Sequence, residues 1–145
     1  MTSTAETIGV VGGGQLARML VQAAGARGIP VAVQTPSVQD PACEGSIRQV
    51  LADPRDVDAT ADLAQGCCGV TFENEWVDIP ALRPLVRQGV CFTPGLEALL
   101  PLVDKLSQRQ LLDELAIPVP PWCPLSEISA AQPALPKGWR FPVMA

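Results

Sequence analysis

Residues 8–11 form an unbroken apolar run, Ile8, Gly9, Val10 and Val11, as expected of a strand buried on both faces. Three glycines follow, and then Leu16, Met19, Leu20, Ala23 and Ala24 recur at i, i+3, i+4, i+7 and i+8. That spacing predicts an amphipathic helix burying this face, with Arg18, Gln22 and Arg27 off it. Gly28 ends the helical pattern and Pro30 opens a second apolar run to Thr35. A loop rich in Pro, Asp and Gly leads to a third strand over 47–52, stopped by Asp53 and Pro54. Asp53 or Asp56 then caps a helix with Val57, Ala61 and Ala64 on one face, which Gly66 ends. Residues 67–72 predict a fourth strand. Asp78 caps another helix, with Ile79, Leu82, Leu85 and Val86 on its apolar face, and Pro84 predicts a kink or a late start. Residues 90–92 predict a short fifth strand.

Strand and helix alternate with short links. This predicts an α/β fold: a Rossmann-like parallel sheet with helices on both faces, joined by right-handed crossovers. Ligands of such sheets bind outside the carboxyl ends of the strands, here Gly12 to Leu16, Thr35, Asp53, Glu73 to Glu75, and Thr93. After Pro94 the pattern changes. A short helix to Val103 precedes a second one that Asp104 caps, and Ile117 to Trp122 must be extended because of its prolines. Residues 139–145 predict a strand with no turn after it. An unpaired apolar edge of that kind leads us to expect the front part of a longer protein.

Length and charge narrow the function. At 145 residues there is one core, or one domain and a piece of another. A net charge of −5 argues against a nucleic-acid partner, no run is long enough to span a membrane, and residues 1–7 are not a secretory signal. Cys43, Cys67, Cys68, Cys91 and Cys123 include no C-x-x-C pair, and there is no histidine. This disfavours zinc and removes any Ser/His or Cys/His nucleophile. Cys67, Cys68 and Cys91 lie in apolar runs and are expected to be buried free thiols, in keeping with a cytoplasmic protein.

The candidate chemistry sits at the first glycine turn. A strand, a glycine turn and a helix start aim backbone N–H groups at an anion such as phosphate. Gly12, Gly14 and Ala17 fit the G-x-G-x-x-A dinucleotide fingerprint. That fingerprint also needs an acid about 20 residues on, at the end of the second strand, and Thr35 stands there instead. A Rossmann-like oxidoreductase is disfavoured on that ground. Gln15 can donate and accept hydrogen bonds, though a solvated helix-start residue would look the same. Glu73 and Glu75 project to one side if the strand continues through them. Without other information, Glu75 and Lys105 would be read as surface charges.

Four separated pieces are similar to the 5-(carboxyamino)imidazole ribonucleotide synthase family of ATP-grasp enzymes, which serves purine biosynthesis. They are Gly12-Gly13-Gly14-Gln15-Leu16-Ala17-Arg18-Met19-Leu20, Val70-Thr71-Phe72-Glu73-Asn74-Glu75, Asp104-Lys105-Leu106-Ser107-Gln108-Arg109-Gln110-Leu111-Leu112, and Ile117-Pro118-Val119-Pro120-Pro121-Trp122. The resemblance implies ATP-dependent joining of bicarbonate to 5-aminoimidazole ribonucleotide, through carboxyphosphate. It implies a pre-ATP-grasp, substrate-side domain over 1–103 and the incomplete start of an ATP-grasp domain over 104–145. It also implies that Gly12, Gly14, Gln15, Leu16 and Glu73 bind substrate, that Lys105 contacts ATP, that ATP acts with Mg, and that the full-length enzyme is a homodimer. By the same resemblance, the chain alone is expected to be an inactive fragment, with no catalytic or metal-binding residue of its own. Related ATP-grasp front domains, such as that of a glycinamide ribonucleotide formylating enzyme, remain alternatives, as does a Rossmann-like nucleotide-binding module. In the formylating enzyme the position of Gln15 is usually an acid.

Overall fold

The computed structural model describes residues 6–124 and 137–140. Two compact units divide the chain, Met1–Val103 and Asp104–Ala145. The first is built on β1 (Thr7–Val11), β2 (Val31–Thr35), β3 (Arg48–Leu51) and β4 (Cys67–Phe72). These strands pair in parallel in the order β3-β2-β1-β4. On one face α1 (Gln15–Gly25) and a 3-10 turn (Pro41–Cys43) close a core of Val10, Ala17, Val21, Val31, Val33 and Ala42. On the other, α2 (Val57–Ala64), α3 (Ile79–Arg87) and α4 (Leu96–Leu99) pack a larger core around Leu63, Val70, Phe72, Leu82 and Phe92. All five residues of β2 are buried, because layers cover both its faces. The architecture is the α/β one that the alternating pattern predicts.

Three local expectations need correction. The face that α1 buries is Ala17 and Val21, not the larger apolar residues: Leu16, Met19 and Leu20 are 58%, 62% and 42% exposed. Small side chains let the helix backbone approach the valines of β1 and β2, which turns the bulkier residues to the flank. Residues 90–92 form no strand but a single parallel bridge, Val70 with Phe92. It is held by Val70 N–H to the Cys91 carbonyl at 2.8 Å and Thr93 N–H to the Val70 carbonyl at 2.9 Å. Cys68 and Cys91 are exposed rather than buried. The β1–β4 register slips at Cys68, and the bridge at Phe92 turns Cys91 to the face that carries α1. As for α3, it runs through Pro84, with Asp78 capping the Ala81 N–H at 3.0 Å.

Polar side chains stitch the second layer to the sheet. Gln34, fully buried, donates to the Asp53 carbonyl at 2.8 Å and the Asp56 carbonyl at 3.1 Å, and accepts from the Thr60 hydroxyl at 2.8 Å. Arg48 donates to the carbonyls of Asp62, Leu63 and Gln65 at 3.2, 2.6 and 3.1 Å. It thus satisfies the last turn of α2, where helix carbonyls lack partners and a cation suits the dipole.

In the second unit α5 (Lys105–Glu114) is capped by Asp104, which accepts from the Ser107 N–H at 2.8 Å. That bond holds the Asp104 carboxyl below its ordinary pKa. The Trp122 indole N–H donates to Asp113 at 3.0 Å. Residues 117–122 carry no helix or strand, and neither do Trp139 and Arg140; the rest of the strand expected over 139–145 lies outside the described residues. Among the described residues, no helix is long and apolar enough to cross a membrane.

Two measurements check this description. Arg48→Ala should lower stability by about 1–2 kcal/mol, the worth of charge-assisted hydrogen bonds that are partly solvated, read as a fall in the urea midpoint at unchanged slope. Burial raises the Cys67 thiol pKa above its ordinary value, against a smaller lowering by Arg48. The reactive thiolate therefore forms at higher pH than in an exposed cysteine, so at pH 8 iodoacetamide should label Cys68 and Cys91 before Cys67, by peptide mass spectrometry.

Candidate functional site

The chain leaves β1 towards β2 on one side and returns as β4 on the other, so the sheet's switch point lies between β1 and β4. Crevices at such points bind ligands in open α/β sheets. The first glycine turn emerges there. Gly12 has φ +116°, a left-handed conformation that side chains disfavour. Its N–H donates to the Gln34 carbonyl at 2.9 Å, and the Glu73 N–H donates to the Val11 carbonyl at 2.8 Å. The turn is therefore tied to both neighbouring strands.

Glu73 then reaches back across the switch point. Its Oε2 accepts from the Gly14 N–H at 2.8 Å. Gly14 is the N-cap of α1, which has no side-chain cap of its own and no acid in its first turn. The half-buried Glu73 carboxylate, one residue past the end of β4, thus serves the positive end of α1. A Cβ on Gly12 or Gly14 would strike Glu73, and one on Gly13 would strike the Thr35 hydroxyl. All three glycines are required for the protein's own close packing.

Thr35 is fully buried and its hydroxyl donates to Asp40. The loop that carries Asp40 is fastened further by the Ala42 N–H, which donates to the Gly13 carbonyl at 3.0 Å. An acid does come to the end of β2, five residues later than the fingerprint requires and engaged with Thr35. Spacing could not find it, because a loop brings it back. Its Cβ lies against the glycine turn, 3.1 Å from where a Cβ on Gly13 would stand.

Gln15 and Leu16, the first residues of α1, are exposed beside this cluster. Gly12, Gly14, Gln15, Leu16 and Glu73 therefore gather at one rim. Glu75 does not continue the alternation of β4: the strand ends at Phe72, and Asn74 opens a turn by accepting from the Trp76 N–H at 3.0 Å. Lys105 lies exposed at the head of α5 in the second unit. Among the described residues there is no group of three or more His, Cys, Asp or Glu able to hold a metal ion.

The chain is similar to known proteins of one family. N5-carboxyaminoimidazole ribonucleotide synthases from Synechocystis and Synechococcus elongatus are 45% and 46% identical over 136 and 142 residues, 94% and 98% of this chain. The chain spans 35% and 36% of their lengths, about a third. Among solved structures, the N5-carboxyaminoimidazole ribonucleotide synthetase of Thermotoga maritima matches with TM-score 0.71 and 32% identity, over 80% of this chain and 32% of that one. An Aspergillus clavatus N5-carboxyaminoimidazole synthase, in complex with ADP and 5-aminoimidazole ribonucleotide, matches with TM-score 0.64 and 34% identity, over 79% of this chain and 30% of that one. With residues 5–100 matching the ribonucleotide synthetase preATP-grasp domain, the chain belongs to that family.

Proposed function

We propose that residues 1–103 are the substrate-side domain of an ATP-dependent carbon–nitrogen ligase that carboxylates 5-aminoimidazole ribonucleotide with bicarbonate in purine biosynthesis. The single observation behind this reading is the Glu73 carboxylate joined to the head of α1 across the switch point, one residue from Gln15. In this reading the ribonucleotide phosphate sits at the N–H groups and side chain of Gln15 and Leu16, where a helix start favours an anion. Glu73 has spent Oε2 on Gly14. A carboxylate accepts at both oxygens, so Oε1 is left for a ribose hydroxyl or the ring amine. Accepting an N–H from the amine would orient the lone pair that attacks the activated bicarbonate. Gly12 and Gly14 take part by letting Glu73 lie against the turn.

ATP supplies the phosphoryl group that activates bicarbonate, and Lys105 is the residue of this chain assigned to its phosphates, at the start of an ATP-grasp domain over 104–145. The described residues do not fit a magnesium site, as they include no suitable carboxylate cluster. The homodimer and the cytoplasmic location belong to the same reading.

Calorimetric titration should detect 5-aminoimidazole ribonucleotide binding, and Glu73→Gln should weaken it about tenfold, or ~1.4 kcal/mol, the scale of a charged hydrogen bond. Far-UV circular dichroism should not change, since the amide oxygen can still accept from Gly14. Tighter binding of inorganic phosphate with unaltered ribonucleotide affinity would mark Glu73 as a helix cap alone. Incubated with ATP, bicarbonate and the ribonucleotide, the isolated chain should release no phosphate above a buffer blank; release would assign a complete catalytic site to these residues.

A further inference from the structure

Arg18 stands one turn into α1, where its N–H donates to the Gly14 carbonyl at 3.0 Å and closes the first bond of the helix. The N–H groups of Gln15, Leu16 and Ala17 come before that bond and have no acceptor within the helix. Each residue turns an α-helix by about 100° and lifts it by about 1.5 Å. Arg18 therefore lies about 60° from Gln15 around the axis and about 4.5 Å further along it, with Leu16 on the other side. Helical side chains lean towards the N-terminus, and an arginine is long enough to bring its guanidinium to an anion at the first turn.

What holds Arg18 in the free chain is weak. Its Nη2 donates to Glu44 Oε2 at 3.0 Å. That is a single bond, where Arg83 makes two with Glu97, at 2.9 and 3.1 Å. The Glu44 side chain is 79% exposed and that of Arg18 37%, and ion pairs so open to water contribute little. The Arg18 Nε, by contrast, is buried. Among the described residues it is the one buried side-chain nitrogen or oxygen with no hydrogen-bond partner. A desolvated donor with nothing to donate to costs free energy, which an anion taking Nε together with Nη2 would recover.

We propose that Arg18 is a phosphate-binding residue held in reserve by Glu44: the guanidinium leaves the Glu44 carboxylate and closes on the ribonucleotide phosphate at the N–H groups of Gln15 and Leu16. This rests on the reading of the site under Proposed function and adds a cation to it. The cation answers an electrostatic difficulty. Glu73 holds the Gly14 N–H, so a phosphate seated one residue further on has a like charge beside it. A guanidinium brought to the phosphate offsets that repulsion. A phosphate monoester carries nearly two negative charges near neutral pH and offers a pair of oxygens to the planar fork. It therefore outcompetes one exposed carboxylate, and Glu44 keeps the guanidinium from weaker anions.

Calorimetric titration of the chain with 5-aminoimidazole ribonucleotide, and with the nucleoside that lacks its phosphate, tests the exchange. Arg18→Gln should weaken ribonucleotide binding by about tenfold or more, the scale of lost charged hydrogen bonds, and leave nucleoside binding unchanged. Glu44→Gln should tighten ribonucleotide binding about two- to fivefold, because an exposed ion pair no longer has to be broken. The two substitutions thus move affinity in opposite directions. A clamp that only fastens the loop after β2 to α1 moves it the same way for both, and that result would overturn the proposal. A loss from Arg18→Gln that the nucleoside shares in full would do the same. The Glu44 side chain is exposed, so Glu44→Gln leaves the fold intact, and unaltered or weaker ribonucleotide binding by that variant overturns the exchange even where Arg18→Gln lowers the melting temperature. Absence of ribonucleotide binding by the unsubstituted chain would overturn the substrate reading itself and the exchange with it, whereas binding without this pattern of changes would overturn the exchange alone.

Discussion

The hydrogen bond from the Gly14 N–H to the Glu73 carboxylate is the constraint around which this domain is arranged. It joins residues 59 apart in sequence and closes the seam where the sheet's connections diverge. The N-terminal N–H groups of α1 need an acceptor, and the helix brings none within its own first turn. The acceptor comes from the residue that follows the neighbouring strand. Only glycine at positions 12 and 14 leaves room for it. That carboxylate therefore accounts for Gly12 and Gly14, the seating of α1 and the gathering of candidate ligand-binding groups, while Thr35 accounts for Gly13.

That arrangement changes the meaning of the glycines. A glycine-rich turn before a helix invites the idea of a phosphate lying on bare backbone. Here the protein's own side chains press on that backbone from two sides, Glu73 from the end of β4 and Thr35 of β2 with Asp40 of the loop after it. The groups left facing solvent are one step further along, at Gln15 and Leu16. The proposed function uses this helix start for a compact anion beside a carboxylate, rather than for a dinucleotide stretched across the turn.

The uneven covering of the sheet follows from side-chain size. Ala17 and Val21 bring α1 down onto β1 and β2. Leu16, Met19 and Leu20 are too large for that contact and stay outside. The larger core is on the other face, where α2, α3 and α4 share it, where Gln34 satisfies carbonyls of the β3–α2 connection and where Arg48 satisfies those at the end of α2.

Much of this was legible in the chain. Apolar runs of strand length, helices opened by Asp53 or Asp56, by Asp78 and by Asp104, and stops at Gly28 and Gly66 specified the order of elements, because strand period, capping and left-handed glycines are local properties; the structure settles the first cap as Asp56. Local order was enough to imply a parallel α/β sheet and to send Gly12, Gln15 and Glu73 to one edge of it. Which flank of α1 is buried was not legible, since periodicity finds an apolar stripe without knowing how close the helix can approach the sheet. The exposure of Cys68 and Cys91 depended on a register slip and on what covers each face. The return of Asp40 to Thr35, and the grip of Glu73 on Gly14, depended on a loop path and on strand adjacency. These are distances between residues far apart in sequence, and no local pattern encodes them; they exist once the sheet has chosen its order.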